Sequence, residues 1–171
     1  MTPSVPFAER WKIIMEKVNV EMISYADAGA LSSFLKEKSK EAKGYYLNYQ
    51  LDIQNFDDLV AHKLLFDYQI IAFRNEKDYI VFKISELEET RPILTLLWAN
   101  VENTELFENV VEKIKQEYSF YSWQAIRIEI LKKQFTAENS KFITEVVNGE
   151  PYILHSNEMD NDRYCYELKL L

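Results

Sequence analysis

Apolar positions recur along this chain with two different periods, and the switches between them outline its elements. Phe7, Trp11, Ile14, Met15 and Val18 fall at helical spacing, with Pro6 near the helix start. Residues 20–25 read as a short strand. Asp27 can cap a second helix that buries Leu31, Phe34 and Leu35. Gly44 closes that region, and residues 45–53 fit no single period. Asn55 is a candidate cap for a third helix with Phe56, Leu59, Val60 and Leu64 inward. Two strand-like runs follow, 69–74 and 79–87, joined by Asn75-Glu76-Lys77-Asp78. Ile71 and Phe73, then Ile80, Phe82 and Ile84, alternate with positions expected to be exposed, so the pair predicts a β-hairpin with one apolar face.

Beyond Arg91-Pro92 the run 93–101 is apolar nearly throughout, the pattern of a central strand covered on both faces. Asn103 or Thr104 then caps a helix with Leu106, Phe107, Val110, Val111 and Ile114 on one stripe. Residues 123–131 predict a strand with Ile126, Ile128 and Ile130 opposite Arg127 and Glu129. A last helix spans about 137–147, with Phe142, Ile143, Val146 and Val147 inward and Asn148-Gly149 as its C-terminal cap. Residues 151–155 and 163–170 close the chain as a hairpin around a polar turn. The order of elements implies an α+β fold: a mixed, mostly antiparallel central sheet flanked by helices on both sides. The 171 residues are read as one domain with an extra helix at about 7–18.

Composition narrows the chemistry. The formal charge is -8, and the only Lys-rich stretch, Lys36, Lys38, Lys40 and Lys43, is interrupted by Glu37 and Glu41. Phosphate contacts need a basic footprint, so no nucleic-acid partner is expected. The longest apolar stretch is too short to cross a bilayer, no secretory signal opens the chain, and one cysteine forms no internal disulfide. A cytoplasmic protein with no membrane partner is the expectation. Three glycines, Gly29, Gly44 and Gly149, make no phosphate-cradling loop.

The remaining candidates read as structural. His62 and His155 are far apart in sequence, with no metal-ligand spacing, and no metal is expected. Cys165, between Tyr164 and Tyr166 on a strand, reads as a packing residue. Asn157-Glu-Met-Asp-Asn-Asp162 has acidic residues at odd positions before Glu167 but lacks the glycine of a calcium loop, so it reads as a turn. Glu86, Glu88 and Glu89 make an acidic cluster near the end of the predicted hairpin.

The element order from Val20 onward resembles the GNAT N-acetyltransferase fold. Leu94 to Val101 is similar to the family's fourth strand. Asn139, Phe142, Ile143 and Gly149 are similar to its N-x-x-A-x-x-L-Y…G-F segment, and Tyr164-Cys-Tyr-Glu-Leu-Lys-Leu to its last strand. The resemblance implies acyl transfer from acetyl-CoA or another acyl-CoA to an amine, in a cleft where the fourth and fifth strands part. In that reading Glu102 is the base, Trp98 and Asn100 face the substrate, and Val101 and Asn139 lie at the cofactor. The family's [QR]-x-x-G-x-[GA] loop, which grips the CoA pyrophosphate, is replaced by Glu102-Asn-Thr-Glu-Leu-Phe-Glu-Asn, with three carboxylates and no glycine. The same scaffold used without catalysis would bind a protein or small ligand. The expected partner is therefore a small-molecule amine or a basic protein surface.

Overall fold

The computed structural model describes residues 19–41, 44–85, 92–118, 121–131, 136–147, 151–154 and 162–170. The predicted helix at 7–18, the Asn148-Gly149 cap, His155, most of the acidic turn and Glu86, Glu88 and Glu89 lie outside them. In chain order the elements are β1 (Glu21–Met22), α1 (Ala28–Ser39), β2 (Tyr45–Leu47), α2 (Asp58–Phe66), β3 (Ile70–Arg74), β4 (Tyr79–Ser85), β5 (Ile93–Asn100), α3 (Thr104–Glu117), β6 (Ala125–Leu131), α4 (Ala137–Val146), β7 (Tyr152–Leu154) and β8 (Arg163–Lys169). The strands form one sheet in the order β1-β3-β4-β5-β6-β8-β7, with β2 paired to β5 off that path. Among the described residues all pairings are antiparallel except β5 with β6. The fold is mixed α+β, as the pattern of elements predicts.

Two apolar layers hold the sheet. On one face Phe73, Phe82, Leu94, Leu96, Ile126, Ile128 and Ile130 pack with the stripes of α3 and α4. Phe107 and Phe142 meet edge to face across those two helices at 5.5 Å. On the other face Ile70, Ala72, Val81, Leu97 and Trp98 pack with Leu31 and Leu35 of α1 and Ala61 and Leu65 of α2. The β3–β4 hairpin is therefore covered on both faces, with Ile70, Ile71, Ala72 and Phe73 all buried. This corrects the expectation of one apolar face: helices on either side leave the alternation nothing to report.

Two caps also differ from the expectation. Asp57 caps α2 by accepting from the Val60 N–H at 2.8 Å. The helix therefore starts beyond Asn55, and its inward face is Ala61 and Leu65 while Leu59 is 79% exposed. Asp27 stands at the start of α1 without capping it. Its carboxylate takes the Ser24 N–H and pairs with Arg74 at 3.4 Å instead. Cys165 is fully buried, consistent with packing.

Candidate functional site: the slot beside strand β5

The central strand has different neighbours along its two edges. On one edge β4 accompanies it from Ile93 to Trp98, with an irregularity at Val81/Phe82. On the other edge β6 pairs only at Leu94↔Ile126 and Thr95↔Arg127. Past Thr95 the two parallel strands part, as the resemblance implies, and a slot opens.

Strand β2 fills that slot. Tyr45, Tyr46 and Leu47 pair antiparallel with Asn100, Ala99 and Trp98. The ladder continues at both ends: the Asn48 N–H donates to the Leu97 carbonyl at 2.8 Å, and the Val101 N–H donates to the Gly44 carbonyl at 3.2 Å. Gly44 opens β2 at φ +94, a conformation open to glycine and strained in other residues. Tyr45 and Leu47 pack toward α1 and α2, while Tyr46 packs into the opposite layer. The Tyr46 hydroxyl donates to the backbone carbonyl of Glu129 on β6, so one side chain joins both walls of the slot. Burial pushes the Tyr46 phenol well above its ordinary range and keeps it a neutral donor. Asn48, 1% exposed, donates from Nδ2 to the Tyr46 hydroxyl at 3.4 Å and accepts the Gln50 N–H at 2.8 Å. The Glu129 carboxylate pairs with Arg163 at 3.0 Å, and the guanidinium lies over the Tyr49 ring at 4.9 Å.

The start of α3 is closed in a similar way. Asn103 accepts the Leu106 N–H at 3.2 Å, as predicted for the cap, and donates to Asp78 at 3.0 Å. Asn100 also donates to Asp78, at 3.3 Å, and accepts the Glu102 N–H at 3.0 Å. Beside this turn an open cavity of about 450 Å³ is lined by Asn75, Glu76, Lys77, Asn103, Glu105 and Asn109 among others. Its charges are mixed, and Glu105 stands in the first turn of the helix.

Of the residues singled out in the sequence, Trp98, Asn100, Val101 and Glu102 follow one another around the end of β5. Trp98 is fully buried, edge-on to Phe34 at 5.3 Å and stacked with Tyr45 at 6.2 Å. Its Nε1 has no hydrogen-bond partner among the described residues. Asn100 holds the turn through Asp78, and Val101 is the last rung of the β2 ladder. Glu102 is exposed, and its Oε1 would lie 3.9 Å from a side chain added at Gly44. Asn139 is in the first turn of α4, where its N–H donates to the Thr136 cap at 3.2 Å. Tyr46, Asn48, Asp78 and Glu129 were not singled out. Glu129 alternates with isoleucines in the sequence, a mark of a polar residue facing a covered layer.

No protein-family model matches the chain, and no curated protein matches it by sequence. Solved structures do match. A microcin C7 self-immunity acetyltransferase, solved with acetyl-CoA and AMP, superposes at TM-score 0.58 and 11% identity, over 88% of this chain and 92% of its own. A ribosomal-protein-S5-alanine acetyltransferase from Vibrio fischeri gives 0.57 and 8%, over 88% and 91%. A probable acetyltransferase from Staphylococcus epidermidis gives 0.57 and 12%, over 88% and 98%. The fold is that of the GNAT acetyltransferases.

The GNAT scaffold implies an acyl-CoA, and the residues present do not fit one in this slot. The resemblance places the pantetheine on the backbone of the strand ending at Val101, where β2 takes the Leu97 carbonyl and the Val101 N–H. It places the pyrophosphate at the start of α3. There Asn103 satisfies one free N–H, and Glu102 and Glu105 add negative charge that opposes a polyanion. Among the described residues no group of three His, Cys, Asp or Glu side chains comes together as a metal site, and no helix is long and apolar enough to cross a membrane.

Proposed function

We propose that this chain is a non-catalytic protein on the GNAT scaffold, which acts by binding a protein partner with a basic surface. The observation that carries the reading is β2: a strand of the chain itself occupies the edge of β5 that an acyl-CoA would need. The charge of -8 supports a basic partner, because complementary fields speed encounter and exclude wrong surfaces. Asn100, Asn103 and Asp78 then serve as a hydrogen-bonded brace for the β5–α3 turn.

The test is a thermal-shift and calorimetric titration with acetyl-CoA and with free CoA. The expected result is no saturable binding at millimolar ligand. A ligand at 100 times its Kd would stabilise the fold by about 2.7 kcal/mol, an easily measured shift. A saturable shift of that kind overturns the proposal.

A second reading has its own support. The parting of β5 and β6 past Thr95 is the geometry on which acetyltransferases of this fold are built. In that reading β2 leaves the slot, an acyl-CoA enters, and Glu102 serves the acceptor amine as base. It requires the Tyr46–Glu129 bond and the ladder at Gly44 and Asn48 to break on binding, so the same titration separates the two.

A further inference from the structure

Helix α2 carries apolar residues on two sides, and the fold uses one of them. Ala61 and Leu65 pack with Leu31 and Leu35 of α1 and with the sheet. Leu59, His62, Lys63 and Phe66 fall at i, i+3, i+4 and i+7, a single stripe on the opposite side, and all four are exposed. Leu59 is 79% exposed and Phe66 56%. His62 stacks on Phe66 at 6.2 Å, and Tyr25 meets these two rings edge-on at 5.1 and 5.4 Å. Single exposed apolar residues are ordinary, whereas a joined cluster marks a contact surface. Of the eight large apolar side chains exposed among the described residues, Tyr25, Leu59, Val60, Phe66 and Tyr68 lie on α2 or beside it.

Tyr68 adds to this surface at a cost to the backbone. It follows the C-cap Asp67 at φ 55, and the Gln69 N–H donates to the Leu64 carbonyl at 2.9 Å. Helices that end in this way usually place glycine at the left-handed position. A tyrosine 66% exposed contributes little to the core there. Tyr25, Phe66 and Tyr68 also border an open cavity of about 420 Å³ that is lined as well by Leu65, Ile70 and Ile71.

The charges decide what fits. From Asp57 to Asp67 the chain carries three carboxylates, Asp57, Asp58 and Asp67, against Lys63 alone. Asp57 accepts the Val60 N–H and Asp58 accepts the Ser32 hydroxyl, bonds that fix both at one end of the helix. Asp67 stands at the other end, about 14 Å further along the axis. A second copy of the chain would bring the same excess of carboxylates on a molecule of charge -8, so this face opposes self-association.

We infer, resting on the reading of the chain as a binder of a basic protein surface, that the exposed stripe of α2 is where that partner docks. The occupant is a basic segment that seats an apolar side chain among Tyr25, Phe66 and Tyr68 and sets Lys or Arg side chains toward Asp57 and Asp67. Aromatic rings around a cavity supply the anchor, and the acidic ends fix the register.

The experiment titrates the full chain with a synthetic amphipathic helical peptide of leucine and lysine, following the backbone amides by NMR. A peptide with glutamate in place of lysine is the control. Saturable shifts are expected at Leu59, His62, Phe66 and Tyr68, with Leu94 and Ile126 unmoved. Phe66→Ser is expected to weaken binding about tenfold or more, and Asp67→Lys about threefold. Leu59→Ser repeats the test should Phe66→Ser not fold. Saturable shifts confined to other residues overturn this docking surface and leave the basic-partner reading standing. No saturable binding, equal binding of the glutamate peptide, or unchanged binding by the serine variants also overturns it. So do shifts at these residues that follow the concentration of the chain alone, since a second copy would then be the occupant. Failure of the wider reading shows separately, as saturable binding of acetyl-CoA.

Discussion

The two halves of β5 share one neighbour and differ in the other. From Ile93 to Thr95 the strand lies between β4 and β6, a local parallel pair inside an ordinary sheet. Past Thr95 it lies between β4 and β2, a three-residue strand drawn from about fifty residues earlier in the chain. The first half needs only its own apolar residues and the helices over them. The second half depends on a long-range contact, the Tyr46 hydroxyl on the Glu129 carbonyl, to close the sheet where its strands diverge. Where β5 and β6 part, β2 and the buried Tyr46 fill the sheet.

The largest expected effect breaks the second half alone. Tyr46→Ala removes a buried ring and the link between the slot's walls, and should cost about 3–5 kcal/mol in denaturant unfolding. A loss below about 1 kcal/mol would mean that β2 rests on the surface of the slot. Gly44→Ala is the next test. The substitution has space but meets φ +94, so about 1–2 kcal/mol of strain is expected, and the β2 amides should exchange faster than those of Leu94 and Ile126.

Tyr46→Phe is subtler, costing about 1–3 kcal/mol because it leaves the buried Glu129 carbonyl without that donor. It also carries a pH signature. The folded-state phenol lies above its unfolded value of 10.0, so its contribution is complete below pH 10 and is lost as pH rises further. Stability of the parent should therefore fall between pH 10 and 12 more steeply than that of Tyr46→Phe, measured by urea unfolding at each pH. Equal slopes would place the phenol in water. The smallest effect should come from Asn103→Ala, at about 1 kcal/mol, because it removes one helix cap and one donor to Asp78.

The same contrast explains what the sequence made legible. β5 and α3 were readable because burial wrote an unbroken run from Ile93 to Ala99 and a stripe from Leu106 to Ile114. The hairpin is legible as an element, while its second apolar face is not, since Ile70, Ala72 and Val81 are covered by helices that lie elsewhere in the chain. On α2 the apolar residues Leu59 and Val60 drew the predicted face outward by part of a turn, because Asp57 rather than Asn55 sets the start. The parting of the strands is implied by the resemblance, but the strand that fills the slot is not legible. Tyr45-Tyr46-Leu47 is too short to show a period, and its meaning lies in pairings with Trp98, Ala99 and Asn100. Trp98, Asn100 and Val101 stand out by position alone; Trp98 is buried in the core, Asn100 braces the turn through Asp78 and Val101 ends the ladder. The acidic stretch from Glu102 was the one sequence signal of the departure at α3.

The most direct measurement is amide exchange at Asn48 and Val101, with and without millimolar acetyl-CoA. The account predicts slow exchange at both positions and no change when acetyl-CoA is added, because β2 holds the edge of β5 permanently. Loss of protection at Asn48 on adding acetyl-CoA would show β2 giving way to the ligand, and would return the slot to an acyltransferase.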